Sequence, residues 1–335
     1  MELLQKKCPV CTSREIKASK TYTTKNHGKR QLYKCQGCNK VFSETKHTFF
    51  EGVKTPLSQV WQVLEARTEG MGLNAVVRVF KKAKNTVLGW ERKFRDLHQV
   101  LLVYSLVHSF LQVVIEGDEA YTKVEKNVPP EQSLGWTIAL QDRASRFLWE
   151  LECGKRERGL FQQAINTLSE VIEQTEEVSL VTDGERRYGN LLFDICCEVV
   201  RTGKPGRPKT TLKSGVKARV KNKGSQHRKK GRKRPKYQAP WKEHPDTAQN
   251  LDKVDIHANH LEAFFSSLRR KLSSFRRRTN TYAKSQGGLR RVLRMYWVIH
   301  NFMRKHFTTK AVPAVKLGVL EREISVEELC LIQIG

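Results

Sequence analysis

The chain is 335 residues long, and its 62 Lys and Arg against 34 Asp and Glu give a formal net charge of +28 at pH 7. This length allows two or three domains, and the charge makes binding to polyanions such as nucleic acids the default expectation. No apolar run reaches the roughly 20 residues of a membrane span, and no signal peptide opens the sequence. We therefore expect a soluble cytoplasmic protein with no membrane partner.

Residues 1–50 contain two CxxC pairs and too few apolar runs to form a core unaided. Each CxxC turn presents two thiolates to one tetrahedral ion, and zinc binding supplies folding free energy that a small core lacks. A pair of redox motifs is the alternative, but such motifs usually lie in a βαβ context that is absent here. The sequence predicts a zinc ribbon with structural Zn²⁺ on Cys8, Cys11, Cys35 and Cys38.

Residues 51–97 have helical spacing and predict a small helical domain. The apolar segment 73–80 is followed by a short basic break at 81–85 and by a second helical segment, 86–94. Two helices joined by a tight turn are typical of a helix-turn-helix, whose second helix enters the DNA major groove. A helical packing domain is the alternative, and the basic content favours DNA. The predicted DNA contacts are Asn85, Thr86, Arg92 and Lys93.

After a predicted helical connector at residues 98–111, the pattern changes to β-strand. Three strands, a helix, a fourth strand, a second helix and a short strand at 197–201 are predicted in this order. The first strand and the fourth each end in a carboxylate, Asp118 and Asp183. The order is that of an RNase H-like fold, in which these two strands are neighbours, so the two carboxylates are expected to lie together.

Residues 201–250 are a strongly basic insert. The part from Arg201 to Lys236 contains many Lys and Arg residues and no acid, which predicts disorder in the absence of a partner. Its Gly-Arg-Pro sequence at Arg207 has the core of an AT-hook, whose Arg lies in a narrow minor groove. A solvated polybasic tether for DNA is the alternative interpretation.

A basic amphipathic helix is predicted from about residue 258 to 275. Glu262 lies in its first turn, and Arg269, seven residues later, lies nearly above it. Three carboxylates brought together repel one another unless cations neutralise them, and hard oxygen ligands select Mg²⁺ or Mn²⁺. Two such ions, about 3.5–4 Å apart, activate a water or a 3′-hydroxyl and stabilise the leaving oxygen of a phosphodiester.

Each carboxylate also has a structural interpretation. Glu116 shares a strand face with Asp118, and Glu119 is adjacent, so either is an alternative ligand. Asp183 is followed by glycine and is suited to an ordinary turn. Asn259 and Glu262 have the spacing of an N-cap and its N3 partner, a variant of the capping box that needs no catalysis.

Three segments together resemble the DDE motifs of bacterial insertion-sequence transposases: Asp118-Glu-Ala-Tyr121, Val181 to Tyr188, and Asn259-His-Leu-Glu262 followed by Arg269. The run from Arg276 to Ser285, with His300-Asn-Phe302, is similar to the insertion-sequence-one type in particular. The resemblance covers most of the chain, because a zinc ribbon and a helix-turn-helix precede the catalytic domain in that family. The long basic segment before Glu262 departs from the family pattern.

The resemblance implies an α/β protein in which an RNase H-like catalytic domain at residues 112–307, with a mixed sheet flanked by helices, precedes a tail at 308–335. It implies metal-dependent cleavage and strand transfer at the terminal inverted repeats of an insertion sequence in a prokaryotic, nucleoid-associated enzyme. The metal ligands would be Asp118, Asp183 and Glu262, with Arg269 on a phosphate. The further predicted DNA contacts are Arg207, Arg276, Arg277 and Arg278.

Element ends and target DNA are the expected partners, and pairing of two ends predicts a homodimer or higher oligomer. A non-catalytic, sequence-specific DNA-binding regulator is the alternative from another class. On that interpretation the acids are surface or capping groups. An RNA-binding ribbon protein with a nuclease-like domain is a third possibility.

Overall fold

The computed structural model describes residues 4–109, 113–126, 128–173, 175, 177–183, 185–201, 203, 205–221, 237–238, 256–276 and 280–334. The chain divides into two compact units. The first contains Met1–Ser105, Lys271–Ser273 and Arg294–Gly335, and the second contains Leu106–Arg270 and Ser274–Leu293. Among the described residues, none of the helices combines the length and the apolar character needed to cross a membrane.

The first unit begins with a three-stranded antiparallel sheet of β1 (Ile16–Thr23), β2 (Lys29–Cys35) and β3 (Val41–Ser43). Its small core consists of Cys8, Cys35 and Phe42, with Ile16 and Tyr33 packed against it. Two of these core residues are cysteines, and β1 exposes nearly all its side chains. The sheet therefore buries too little apolar surface to be stable by itself.

Three helices follow in the first unit: α1 (Leu57–Thr68), α2 (Leu73–Phe80) and α3 (Lys84–His108). The turn between α2 and α3 is short, and Lys81 adopts the left-handed conformation there, with φ of 50°. The predicted connector at 98–111 is not a separate element up to His108, because α3 is continuous for 25 residues. Buried Leu97 and Leu101 maintain its apolar spacing, and no Gly or Pro interrupts it after Gly89.

Among its described residues, the second unit contains the remaining eight strands and four α-helices, and the last two of these helices end in the first unit. The strands are β4 (Val113–Tyr121), β5 (Trp136–Asp142), β6 (Leu148–Gly154), β7 (Val178–Asp183), β8 (Cys197–Val200), β9 (Lys209–Leu212), β10 (Val216–Lys221) and β11 (Tyr237–Gln238). The helices are α4 (Arg158–Glu173), α5 (Arg187–Ile195), α6 (Asn259–Lys271) and α7 (Gln286–Phe302).

Six of these strands form a mixed sheet in the order β11-β10-β7-β4-β5-β6. The first and fourth predicted strands, β4 and β7, are neighbours as expected, and they run parallel from Val113↔Val178 to Gly117↔Thr182. β5 pairs antiparallel with β4, and β10 pairs parallel with β7 on its other side. The two strands that carry Asp118 and Asp183 are therefore central in the sheet.

The fifth strand of the sheet differs from the prediction. Residues 197–201 were expected to supply it, but β8 forms a separate antiparallel pair with β9. The strand that takes this position beside β7 is β10, which lies inside the segment predicted to be disordered. Val216, Ala218 and Val220 alternate along β10 and are buried, as are the intervening Lys217 and Arg219. The high density of basic residues concealed this alternation; residues 222–236 and 239–255 lie outside the described residues.

The C-terminal segment belongs to the first unit and contains α8 (Pro313–Lys316) and α9 (Val326–Cys330). Ser325 and Glu328 form a capping box at the start of α9. Gln333 then exchanges hydrogen bonds with the main chain of Lys7 and forms an isolated bridge with Thr48. Gln333 thus binds two segments of the first fifty residues, a contact that no sequence pattern predicted.

Candidate functional site

The four cysteines of residues 1–50 lie together. The Sγ atoms of Cys8 and Cys38 are 3.5 Å apart, as are those of Cys11 and Cys35, and all four lie within 4.8 Å of one another. Tetrahedral Zn–S bonds of 2.3 Å require sulfur atoms about 3.8 Å apart. The two local turns therefore bring four thiols to the spacing that one zinc ion needs.

The main chain around these thiols favours the thiolate form, which is the form that binds metal. The N–H of Cys38 lowers the pKa of Cys35. Burial raises the pKa of Cys8, but the N–H groups of Cys11 and Val10 outweigh it and hold the pKa at about 6. The N–H of Ser13 lowers the pKa of Cys11, but the hydrogen bonds of its thiol with the sulfurs of Cys38 and Cys35 raise that pKa to about 12.

The backbone places Asp118 and Asp183 beside each other. The last pair in the parallel register of β4 and β7 is Gly117↔Thr182, and the next residue on each strand is the aspartate. Because neighbouring strands are about 5 Å apart and aligned residues of parallel strands share a face, both carboxylates lie on one side of the sheet. Both side chains are half-buried, and Asp118 Oδ1 accepts a 2.8 Å hydrogen bond from the N–H of Glu119.

Asp118 is not the last residue of its strand, contrary to the prediction. β4 continues to Tyr121 through antiparallel pairs with β5, including Asp118↔Ala139. What ends just before Asp118 is the pairing of β4 with β7, its neighbour on the other side, because that pairing stops at Gly117. Periodicity alone could not locate this point, because Asp118 to Tyr121 satisfy strand pairing on one side only.

Glu116, two residues earlier on the same face as Asp118, is completely buried. Its carboxylate accepts hydrogen bonds from Arg143 Nε at 2.8 Å and from the main-chain N–H groups of His260 and Leu261, each at 3.1 Å. Its Oε1 atom lies 2.6 Å from Nδ1 of His260. These contacts fasten the first turn of α6 to the sheet face that carries Asp118.

This arrangement corrects the capping interpretation of α6. Asn259 is already helical, and the N–H of Glu262 bonds to the carbonyl of Ala258, so Asn259 is not the residue that precedes the helix. The N–H groups of His260 and Leu261 are instead satisfied by Glu116 from β4, and this residue is too distant in sequence for a sequence pattern to indicate the contact.

Glu262 and Arg269 lie on α6 as predicted from its spacing. Glu262 is exposed in the first turn, two residues beyond His260, and Arg269 is half-buried two turns later. Glu262 therefore belongs to the turn that Glu116 fastens beside Asp118. The structure thus brings together the three segments that carry the predicted carboxylates.

A second ionic cluster lies on the opposite face of β4 and was not predicted. Arg156 contacts the carboxylates of both Glu119 and Glu185, and Arg187 binds Glu185 at 2.6 Å. The guanidinium of Arg156 also stacks over Trp136. Burial raises the pKa of Glu119 despite Arg156. Glu119 is thus engaged in ion pairs away from Asp118, and the cluster links β4 to the segment that follows Asp183.

The predicted DNA contacts of the helix-turn-helix lie near the start and the first half of α3. Asn85, Thr86 and Arg92 are exposed. Lys93 differs, because its ammonium group donates to the main-chain carbonyl of Phe49, and burial lowers its pKa. An open groove in the same unit lies near the turn between α2 and α3. We call it the basic groove; its lining residues include Lys25, His27, Gln59, Gln62 and Lys82.

The remaining predicted DNA contacts lie in the second half of the chain. Arg207 and Arg276 are exposed, and Arg277 and Arg278 lie outside the described residues. Arg207 precedes β9 by two residues, so part of the predicted AT-hook-like segment adjoins an ordered strand.

Comparison with known proteins gives little further information. No protein-family model matches the chain, and no curated protein matches it significantly. Among solved structures, a chain of the simian T-cell lymphotropic virus intasome in complex with the PP2A regulatory subunit B56 gamma aligns with 77% of this chain and 72% of its own length. The identity is 11% and the TM-score is 0.32, which is too low to bear on fold or function.

Proposed function

We propose that this protein is a DNA transposase that cleaves DNA and transfers strands at the ends of an insertion sequence, using divalent metal. The observation that carries the proposal is the register of β4 and β7. It ends one residue before Asp118 on one strand and before Asp183 on the other. The turn that contains Glu262 is fastened to the same sheet face through Glu116.

The order of the strands supports an RNase H-like catalytic domain. The five main strands are, in chain order, β4, β5, β6, β7 and β10. Across the sheet, from the β6 edge, their order is β6-β5-β4-β7-β10. The first three are antiparallel, and β7 and β10 add in parallel on the other side of β4. The first strand and the fourth are neighbours, as that fold requires.

In this proposal Asp118, Asp183 and Glu262 hold Mg²⁺ or Mn²⁺, since carboxylates on one face are hard oxygen ligands. When bound, two such ions supply an activated water or 3′-hydroxyl and stabilise the leaving oxygen. Arg269, two turns after Glu262, contacts a phosphate and orients the DNA strand. Partial exposure of both aspartates keeps the sheet face accessible to DNA.

The first unit supplies the surfaces for DNA recognition. The exposed residues Asn85, Thr86 and Arg92 lie on α3, which corresponds to the second helix of a helix-turn-helix. The basic groove adds Lys25 and Lys82, whose charges suit backbone phosphates. Zinc bound to the four cysteines stabilises the ribbon, which precedes these helices in the chain. Arg207, Arg276, Arg277 and Arg278 are proposed as further phosphate contacts, and two copies of the chain are proposed to pair two DNA ends.

The proposal is tested by substitution of the carboxylates. Asp118→Asn, Asp183→Asn and Glu262→Gln should each reduce Mg²⁺-dependent cleavage of DNA carrying the element's ends by at least about 100-fold, because each removes a charged ligand. DNA affinity should be unchanged. The measurement is single-turnover nicking with Mg²⁺ or Mn²⁺, alongside equilibrium binding in Ca²⁺.

Asp194→Asn is the matched control, because Asp194 is an exposed carboxylate on α5 that pairs with Arg158. This variant should cleave at the parent rate. Cleavage at the parent rate by any of the three test variants would remove that residue from the site. If the parent binds the ends but never nicks them with Mg²⁺ or Mn²⁺, the protein is a non-catalytic DNA-binding regulator instead.

A further inference from the structure

Glu116 is held by an unusually complete set of donors for an acid in the middle of a strand. Its Oε1 atom accepts hydrogen bonds from Arg143 and the His260 ring, and its Oε2 atom accepts hydrogen bonds from the N–H groups of His260 and Leu261. Arg143 also donates through Nη2 to the carbonyl of His257 at 2.7 Å. Glu116 and Arg143 together therefore fix both the approach to α6 and its first turn.

The contacts are favourable for electrostatic reasons. The first N–H groups of a helix carry a partial positive charge and have no partner within the helix, so a carboxylate placed on them is stabilised. The guanidinium of Arg143 compensates the remaining charge of a side chain that is 0% exposed. Ile256, Ala258 and Leu261, on the segment that Glu116 and Arg143 contact, are themselves buried.

We propose that Glu116 is a positioning residue that acts as a non-local N-cap for α6, and that it sets the place of Glu262 relative to Asp118 and Asp183. The inference rests on the proposed function, because the place of Glu262 matters only where that residue binds metal. Glu116 itself contacts no metal or DNA in this proposal. It acts through the orientation of the helix turn.

A metal site at the same place is the competing interpretation. Ligand atoms of Glu116, His257 and His260 lie within 4.8 Å of one another, and two imidazoles with one carboxylate are a ligand set for zinc. Both oxygens of Glu116, however, already accept hydrogen bonds from N–H groups. A dication would also lie next to the guanidinium of Arg143. The donors therefore favour the cap.

The test compares Glu116→Gln with Glu152→Gln in the full chain. Glu152 is the matched control, because it is also buried and paired with an arginine, Arg290, but it lies on β6. Without added Mg²⁺ or Mn²⁺, Glu116→Gln should speed amide hydrogen exchange at His260 and Leu261 by at least about tenfold, and leave β7 protected. Glu152→Gln should leave the exchange of α6 unchanged.

A second measurement links the cap to Glu262. Glu116→Gln should weaken Mn²⁺ binding, followed by electron paramagnetic resonance, by about tenfold or more. In a Glu262→Gln background it should cause no further loss, because the ligand that it positions is gone. Equal losses in both backgrounds, or unchanged exchange at His260, would overturn the positioning role.

Two further outcomes distinguish the positioning role of Glu116 from a metal site at the same place and from a failure of the proposed function. If the protein binds a second zinc ion per chain and His257→Ala loses it, then Glu116 belongs to a metal site and is not a helix cap. If the parent binds no Mn²⁺, the proposed function fails and the positioning role fails with it. A parent that binds Mn²⁺ with an affinity unchanged by Glu116→Gln overturns the positioning role alone.

Discussion

The thiol cluster and the proposed carboxylate site of this protein are built in opposite ways. The four thiols come from two short turns, Cys8 to Cys11 and Cys35 to Cys38, and lie in a sheet with almost no core. The carboxylates come from β4, β7 and α6, which are distant in sequence and lie in a unit with a large apolar core. We expect zinc to be required for the fold of the first region, and we expect the second region to fold without metal and then to bind it.

This difference decides what each substitution should do. Loss of a thiol should unfold the ribbon, because zinc contributes on the order of 10 kcal/mol to such a fold. Loss of a carboxylate should leave the sheet intact, because β4 and β7 are held by backbone pairing and buried side chains.

The largest effect is expected from Cys35→Ser. Cys35 is buried, supplies one of the four thiols and ends β2, so the variant should bind almost no zinc and lose the ribbon. Zinc content by mass spectrometry and amide exchange of β1 and β2 measure this. A strong chelator should reproduce the effect on the parent, and exchange in β4 and β7 should remain slow in both cases.

Cys197→Ser is the control, since Cys197 lies on β8 and outside the thiol cluster. It should retain zinc and a protected ribbon. A ribbon that stays protected after complete removal of zinc would contradict the distinction between the two regions.

Gly117→Ala should disturb the register between β4 and β7. A methyl group at Gly117 would lie 3.1 Å from Thr182 Cγ2 and 3.2 Å from Leu140 Cδ2, so these side chains on the two neighbouring strands must give by a few tenths of an ångström. Such overpacking costs about 1–3 kcal/mol, and DNA cleavage should fall because Gly117 lies next to Asp118. Urea denaturation and nicking assays measure the two effects.

Gly159→Ala is the matched substitution in the same unit, because a methyl group there meets no described atom of another part of the chain within 4 Å. Its effect on the free energy of unfolding should be within about 0.5 kcal/mol. Parent-like cleavage by Gly117→Ala would show that the register is not what aligns the two aspartates.

The smallest effect is expected from the pair Arg92→Ala and Lys93→Ala. Arg92 is exposed, so its loss should weaken DNA binding by roughly 1 kcal/mol and reduce the salt slope by about 1. Lys93 is bound to the carbonyl of Phe49, so its loss should leave the salt slope unchanged and lower stability by about 1 kcal/mol. Equal salt slopes for the two variants would contradict these assignments.

The sequence was sufficient where the determinants are local or periodic. The CxxC spacing located the four thiols, and apolar periodicity with turn residues located β4 to β7 and the helix α4 among them. The predicted adjacency of β4 and β7 is confirmed by their parallel pairing. The basic break at 81–85 marked the turn between α2 and α3.

The sequence was insufficient where a contact depends on distant residues. The contact between Glu116 and the start of α6 joins segments 144 residues apart, and no local pattern distinguishes it from a solvent-facing acid. Lys93 was predicted to contact DNA because of the basic composition of its segment, although its ammonium group donates a hydrogen bond to the carbonyl of Phe49. β10 was missed because a buried Lys217 and Arg219 violate the expected binary pattern, and the ion pair of Lys217 with Glu177 compensates part of that burial.

The proposed carboxylate site can be seen directly in a crystal of the protein soaked with Mn²⁺. We expect an anomalous Mn²⁺ peak bound by the carboxylates of Asp118 and Asp183, at the point where the pairing of β4 and β7 ends. A peak on Glu116, His257 and His260 in place of the two aspartates, or no Mn²⁺ in this unit at saturating concentration, would contradict it.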